Sequence, residues 1–224
     1  MDVIVGSSRT YGMDKMSCVK DYNVEVITKP GATYRRLGTV ISDHAMYHEP
    51  LLDQNTKTNY YIEGGLCDLT KKLKDMKYSE VVYLDTPLNA LGRMKSEIIS
   101  IRNTVLELNA TPVFCTVCPQ HIATYNNNQK EKNRTSTLKY CLEYGKMQQA
   151  LEQIINSVNL FINQINHELN VKTPLLHRCI QHFKGKGHPP YYRYSKFTDG
   201  CHPDLDLRNT WAENIVRVMK LNRQ

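Results

Sequence analysis

Short apolar runs closed by glycine or proline alternate along this chain with longer stretches in which apolar residues recur every three or four positions. The first pattern fits buried strands, and the second fits helices with one buried stripe. Asp2–Val5 is such a run and ends at Gly6. Asn23–Thr28 is rich in β-branched residues and ends at Pro30-Gly31, and Asn59–Ile62 ends at Gly64-Gly65. Glu80–Leu84, Thr111–Val117 and Thr173–Ile180 read as further strands. Helical stripes run through Leu88–Leu108 (Leu91, Met94, Ile98, Ile101, Val105), Thr137–Leu169 (Leu151, Ile154, Val158, Ile165) and Leu207–Leu221 (Trp211, Ile215, Met219). Asn126–Thr135 has no apolar periodicity and reads as a polar surface loop. Strands alternating with helices of this length predict an α/β fold. It is a three-layer α/β/α sandwich around a mainly parallel sheet of five or six strands.

Composition narrows the setting. A length of 224 residues suits a single domain spanning 1–224. No apolar run is long enough for a transmembrane helix. The opening MDVIVGSSRTYGM has neither a basic region nor an apolar stretch of the kind a signal peptide needs, which predicts an intracellular protein, cytoplasmic or nuclear. The 7 cysteines are scattered and odd in number, unlike a disulfide framework. Cys115 and Cys118 form a CxxC, but a zinc site needs a second ligand pair and only His121 stands near. Buried thiols on a strand are the plainer reading. His44, His48, His121, His177, His182 and His188 offer no metal-ligand spacing, and His177 reads as a packed core residue. The formal charge of +7 favours anionic partners. The densest basic stretch, 184–196, interleaves Lys184, Lys186, Arg193 and Lys196 with tyrosines. It is either a nucleic-acid grip or a solvated loop stiffened by Pro189 and Pro190.

In an open parallel sheet, sites form at the carboxyl ends of the strands. There the chain places Gly6-Ser7-Ser8-Arg9, Pro30-Gly31, Gly64-Gly65-Leu66-Cys67-Asp68 and, before the last helix, Asp199-Gly200-Cys201-His202-Pro203. A glycine and serines after a strand expose a hydroxyl or simply cap a turn. An Asp-Gly pair alone is a common turn. Arg9 either lines the crevice, favouring an anionic substrate, or points to solvent.

These blocks, in this order, resemble the SGNH (GDSL-type) hydrolases, a flavodoxin-like family. Its members carry a G-D-S block after the first strand, a glycine after the second, G-x-N-D after the third and D-x-x-H before the last helix. The resemblance spans nearly the whole chain, and Asp199–Ile215 is especially similar to the family's end. It implies a serine esterase or acylhydrolase with a Ser8, His202 and Asp199 triad, and no cofactor or metal. It also implies an oxyanion hole of Ser8, Gly31 and the position of Cys67, with Gly65 and Asp68 near the substrate, where Arg9 joins them if it lines the crevice. Two departures stand out. Ser7 replaces the aspartate of G-D-S, and Cys67 replaces the asparagine, a weaker donor. A second alignment brings Asn89 into the hole instead, through the turn after Glu80–Leu84. The chain also looks similar to SGNH-type domains carried by animal viruses and mobile elements. A module of this fold that binds nucleic acid or protein without catalysis is the alternative.

Overall fold

A computed structural model describes residues 1–48, 57–74, 79–83, 87–133, 143–183, 185 and 190–224. In chain order the strands are β1 (Asp2–Gly6), β2 (Glu25–Thr28), β3 (Asn59–Glu63), β4 (Thr70–Lys74), β5 (Ser79–Tyr83), β6 (Thr111–Phe114), β7 (Gln181–His182) and β8 (Tyr191–Tyr192). The helices are α1 (Ser17–Asp21), α2 (Tyr34–His48), α3 (Leu66–Leu69), α4 (Pro87–Glu107), α5 (Ile122–Asn133), α6 (Tyr144–Glu168) and α7 (Leu205–Asn222).

The central sheet is parallel, with strand order β2-β1-β3-β6. Side chains alternate across it, as the pleat requires. Val3, Val5, Tyr60, Ile62 and Phe114 join one core with Leu37 and Ile41 of α2, Met94 and Ile98 of α4, and Leu151 and Val158 of α6. Ile4, Tyr61 and Val113 join the other with Val19 of α1 and Trp211, Ile215 and Met219 of α7. Helices therefore cover both faces, and the predicted three layers are present.

The sheet is smaller than predicted: 4 parallel strands among the described residues, not five or six. Glu80–Tyr83 belongs to β5, which pairs antiparallel with β4 in a separate two-stranded ribbon. Leu84 lies outside the described residues. Thr173–Ile180 is not a strand either, since Leu176–Ile180 forms a 3₁₀ turn. That segment approaches the chain beyond β6 at Thr116, whose amide and hydroxyl both donate to the Pro174 carbonyl and whose hydroxyl also meets the His177 amide and ring. Pro174 has no N–H to continue a ladder. The free edge of β6 and the chain just beyond it are instead closed by two buried asparagines of α6. Asn166 accepts from the Phe114 amide at 3.0 Å and donates to its carbonyl at 2.7 Å. Asn159 does the same for Val117, at 2.7 and 2.9 Å. Each side-chain amide reproduces the donor–acceptor pair of a neighbouring strand, so the edge is satisfied without one.

The polar stretch after Asn126, expected as a loop, is helical through Asn133. Its buried positions include Ile122 and Asn126, four apart, so an asparagine occupies the stripe where an apolar residue would have revealed a helix. Residues 34–48, to which the sequence reading assigns no element, form α2. Its buried face is Tyr34, Leu37, Ile41 and His44. The predicted helix at 137–169 is seen from Tyr144 onward. Among the described residues no helix is long and apolar enough to cross a membrane.

Candidate active site

The strand order reverses at β1: the chain runs from β1 to β2 on one side and to β3 on the other. Crevices for ligands form at such switch points, at the strands' carboxyl ends. The turn after β1 lies there. Ser8–Thr10 is a single 3₁₀ turn rather than the start of a long helix, with Ser7 as its cap. Gly6 is required by closeness, because a Cβ there would meet the Thr10 side chain at 2.2 Å.

Ser8 Oγ lies 3.0 Å from His202 Nε2. His202 Nδ1 lies 2.8 Å from Asp199 Oδ2. The structure thus brings Ser8, His202 and Asp199 into one chain of hydrogen bonds, although 194 positions separate Ser8 from His202. Asp199 is tied down by its own loop: Oδ1 accepts the amides of Cys201 at 3.0 Å and His202 at 2.8 Å. Burial alone would raise the Asp199 carboxyl, but the hydrogen bonds from the His202 ring and from the two amides hold it well below the usual range. An ionised carboxylate only accepts, so Nδ1 carries the imidazole proton and Nε2 is left to accept from the Ser8 hydroxyl.

The loop that carries Asp199 and His202 is fixed at several points. The His121 amide donates to the Gly200 carbonyl at 2.7 Å, and the Thr198 amide to the His202 carbonyl at 2.9 Å. Gly200 adopts φ +82°, and a Cβ on it would meet the Tyr125 nitrogen at 2.8 Å and the His121 oxygen at 2.9 Å. Asp204 then caps α7 by accepting the Leu207 amide at 2.8 Å.

The other site residues from the sequence sort differently. Gly31 sits in the turn after β2 with φ +70° and open space around it. Gly65, φ +93°, is buried, and a Cβ would press on Met94, Tyr34 and Val117 at 2.9 Å each. Cys67 follows in α3, directly at the end of β3. Burial pushes its thiol up to about 11, so it stays protonated near neutral pH and keeps its hydrogen for donation. Asn89 lies in the first turn of α4 and is exposed. The described part of the strand that its alignment would use, Glu80–Tyr83, pairs with β4 and not with the parallel sheet. Asp68 accepts the Tyr34 amide at 3.0 Å and so holds the start of α2.

Arg9 requires a correction. It neither lines the crevice nor points to solvent: it is 2% exposed. Its guanidinium donates to the Cys118 carbonyl and, at 3.4 Å, to the Pro119 carbonyl. It also lies 3.8 Å from Cys201 Sγ and over the Phe197 ring. Arg9 therefore pins the Ser8 turn to the segment after β6 and to the His202 loop. Its place one residue after Ser8 sends its side chain inward where the turn winds back on the sheet.

Glu63 is a residue that sequence reasoning missed. It is the last residue of β3 and only 3% exposed. Its Oε2 accepts the Ser7 amide at 3.2 Å and the Ser7 hydroxyl at 2.7 Å. A carboxylate in the closing position of a buried strand, next to Gly64-Gly65, was the available signal. Cys115 and Cys118 are buried, free thiols raised by burial, as expected, but they are not on a strand: β6 stops at Phe114, short of the predicted Val117. His177 is packed against Thr116, with Nδ1 at 2.8 Å from its hydroxyl. Of the basic stretch, Lys184 and Lys186 lie outside the described residues. Arg193 and Lys196 are exposed, and the Arg193 guanidinium stands over the Tyr191 ring.

No protein-family model and no curated protein matches the sequence. Solved structures do match its backbone. A candidate acylhydrolase from Bacteroides fragilis superposes with a TM-score of 0.61 at 12% identity, covering 98% of this chain and 84% of its own. A GDSL-like lipase from Bacteroides thetaiotaomicron gives 0.59 at 13%, covering 98% and 85%. The C-terminal catalytic domain of peptidoglycan O-acetyltransferase A from Streptococcus pneumoniae gives 0.55 at 11%, covering 99% and 93%. With its parallel sheet and flanking helices, the chain has the fold of the SGNH hydrolases.

Proposed function

We propose that the protein is a serine hydrolase of SGNH type that cleaves a carboxylic ester, an acyl or acetyl group. The observation that carries the reading is the continuous Ser8–His202–Asp199 hydrogen-bond chain, at 3.0 and 2.8 Å, placed at the switch point of the sheet. Ser8 Oγ attacks the ester carbonyl carbon as its proton passes to His202 Nε2. The imidazolium then gives that proton to the departing alkoxide, leaving an acyl group on Ser8. A water repeats the sequence and releases the acid. Asp199 stays ionised throughout and holds the ring and its charge. The negative oxygen of each tetrahedral intermediate is met by the Ser8 and Gly31 amides, with Cys67 as a weak third donor. Solved structures named as a GDSL-like lipase and an O-acetyltransferase share this fold and support acyl chemistry.

The test is a panel of p-nitrophenyl esters of increasing acyl length, run on wild type and Ser8→Ala. Turnover that disappears in the variant supports the reading. Turnover equal in both, or absent from both across the panel, counts against it.

A second reading is a binding module on the same fold. It draws on Cys67 in place of the family's asparagine and on exposed Arg193 over Tyr191. Phosphate contacts would make binding to RNA or DNA weaken steeply with salt. A titration that finds no binding at low salt removes it.

A further inference from the structure

At the opposite end of the sheet from Ser8, Glu25, His44 and His48 converge. Glu25 opens edge strand β2, level with Val3 of β1. His44 and His48 are one turn apart at the end of α2, and their rings stack with centroids 4.3 Å apart. The donor atoms of all three lie within 4.8 Å of one another. Two imidazoles at i and i+4 on a helix, joined by a carboxylate from another element, are a recurring way to hold a transition-metal ion.

We propose that this cluster is a site for a divalent, zinc-type cation, with His44 Nε2, His48 and the Glu25 carboxylate as ligands and water completing a tetrahedron. Three observations support it. His44 is oriented in advance: Nδ1 lies 2.8 Å from the Tyr60 hydroxyl, which leaves Nε2 facing the cluster. Ligating histidines are characteristically held this way through the second ring nitrogen. Nε2 already lies 3.1 Å from Glu25 Oε2, a separation close to that of two ligands on one zinc, roughly 3.3 Å for bonds near 2.0–2.1 Å. Access is built in, because the Glu25 side chain is 40% exposed while that of His44 is 6% exposed. In the bound state the Nε2 lone pair goes to the cation, and Nδ1 carries the ring hydrogen and donates it to the Tyr60 hydroxyl. The ion would clamp edge strand β2 to the end of α2, far from the ester chemistry proposed at Ser8.

The test is titration of the intact protein with Zn²⁺ and Co²⁺, followed by calorimetry, melting and the cobalt spectrum. Wild type is expected to take up one ion per chain with a raised melting temperature. The cobalt complex should show ligand-field bands without a thiolate charge-transfer band. His48→Ala, at a half-buried position near the helix end, and Glu25→Gln should each lose at least about tenfold in affinity, and Tyr60→Phe about as much through the lost orientation. Circular dichroism of the metal-free variants checks that they fold. The proposal is overturned if folded His48→Ala and Glu25→Gln bind as tightly as wild type, if wild type shows no uptake, or if the cobalt spectrum is that of cysteine ligands.

Discussion

Glu63 Oε2 accepts both the amide and the hydroxyl of Ser7, at 3.2 and 2.7 Å, so the residue before Ser8 is anchored to the end of the neighbouring strand. The serine that stands where the family has aspartate is thus one half of a buried pair whose carboxylate comes from β3. Glu63→Ala leaves the buried Ser7 hydroxyl without its acceptor and the Ser7 amide with only the Glu63 carbonyl, at 3.3 Å, which should cost about 1–3 kcal/mol in denaturant unfolding. It should also lower kcat more than it raises KM, because the Ser8 turn loses its register. Ser7→Ala should show a smaller loss of the same kind. Stability and kcat equal to wild type in Glu63→Ala would contradict this role.

In the proposed oxyanion hole, Cys67 stands in for the asparagine of the SGNH pattern, a stronger donor. Removing one oxyanion donor costs on the order of 10²–10³ in rate. Cys67→Asn should therefore raise kcat on a short ester by about tenfold or more, with KM little changed. Steady-state kinetics on the variant decide it; a fall in kcat would mean that position 67 does not face the oxyanion.

Gly200 and Gly31 both have positive φ, but only Gly200 is hemmed in by backbone. Gly200→Ala must displace the Tyr125 or His121 backbone and carry the His202 loop with it. Activity should fall close to that of Ser8→Ala, with a stability loss of roughly 1–3 kcal/mol. Gly31→Ala has space and should cost only about 1–2 kcal/mol, the left-handed penalty alone. Equal effects on activity from the two substitutions would argue against this placement of the loop.

Two buried groups set opposing pH slopes. Burial pushes the Asp68 carboxyl up to about 6, against an ordinary 3.8. Its contribution to stability is full below about pH 4 and is lost as pH rises through 6. Burial pushes His177 down to about 4 from 6.5. Its contribution is full above about pH 6.5 and is lost as pH falls through 4. Asp68→Asn keeps an oxygen for the Tyr34 amide and removes the first slope. The variant should gain stability at pH 7, by at most about 3 kcal/mol, and its stability should climb between pH 4 and 6.5. His177→Gln should instead lose stability between pH 4 and 6. Unfolding curves at several pH values measure both.

Much of this was readable because its cause is local. Val3–Val5 and Tyr60–Ile62 announce buried strands by composition, and the Asp199–Pro203 loop carries its own turn and cap residues. What could not be read depends on partners distant in sequence. The edge of β6 is closed by Asn159 and Asn166, polar residues that no strand pattern contains. Asn126 hides the buried stripe of α5. His44 and His48 have metal-ligand spacing only on a helix, and residues 34–48 gave no helical pattern strong enough to assign. Arg9 stays open between crevice and solvent at the level of sequence, and its burial goes unread, because sequence does not tell which way a turn winds.

The central claim is that Ser8 is an activated nucleophile, and reaction with a fluorophosphonate tests it most directly. Intact mass and peptide mapping should find one adduct, on Ser8, that is absent in Ser8→Ala and forms far more slowly in His202→Ala. Absence of an adduct on the folded wild type, or equal labelling of Ser8→Ala, would contradict the account.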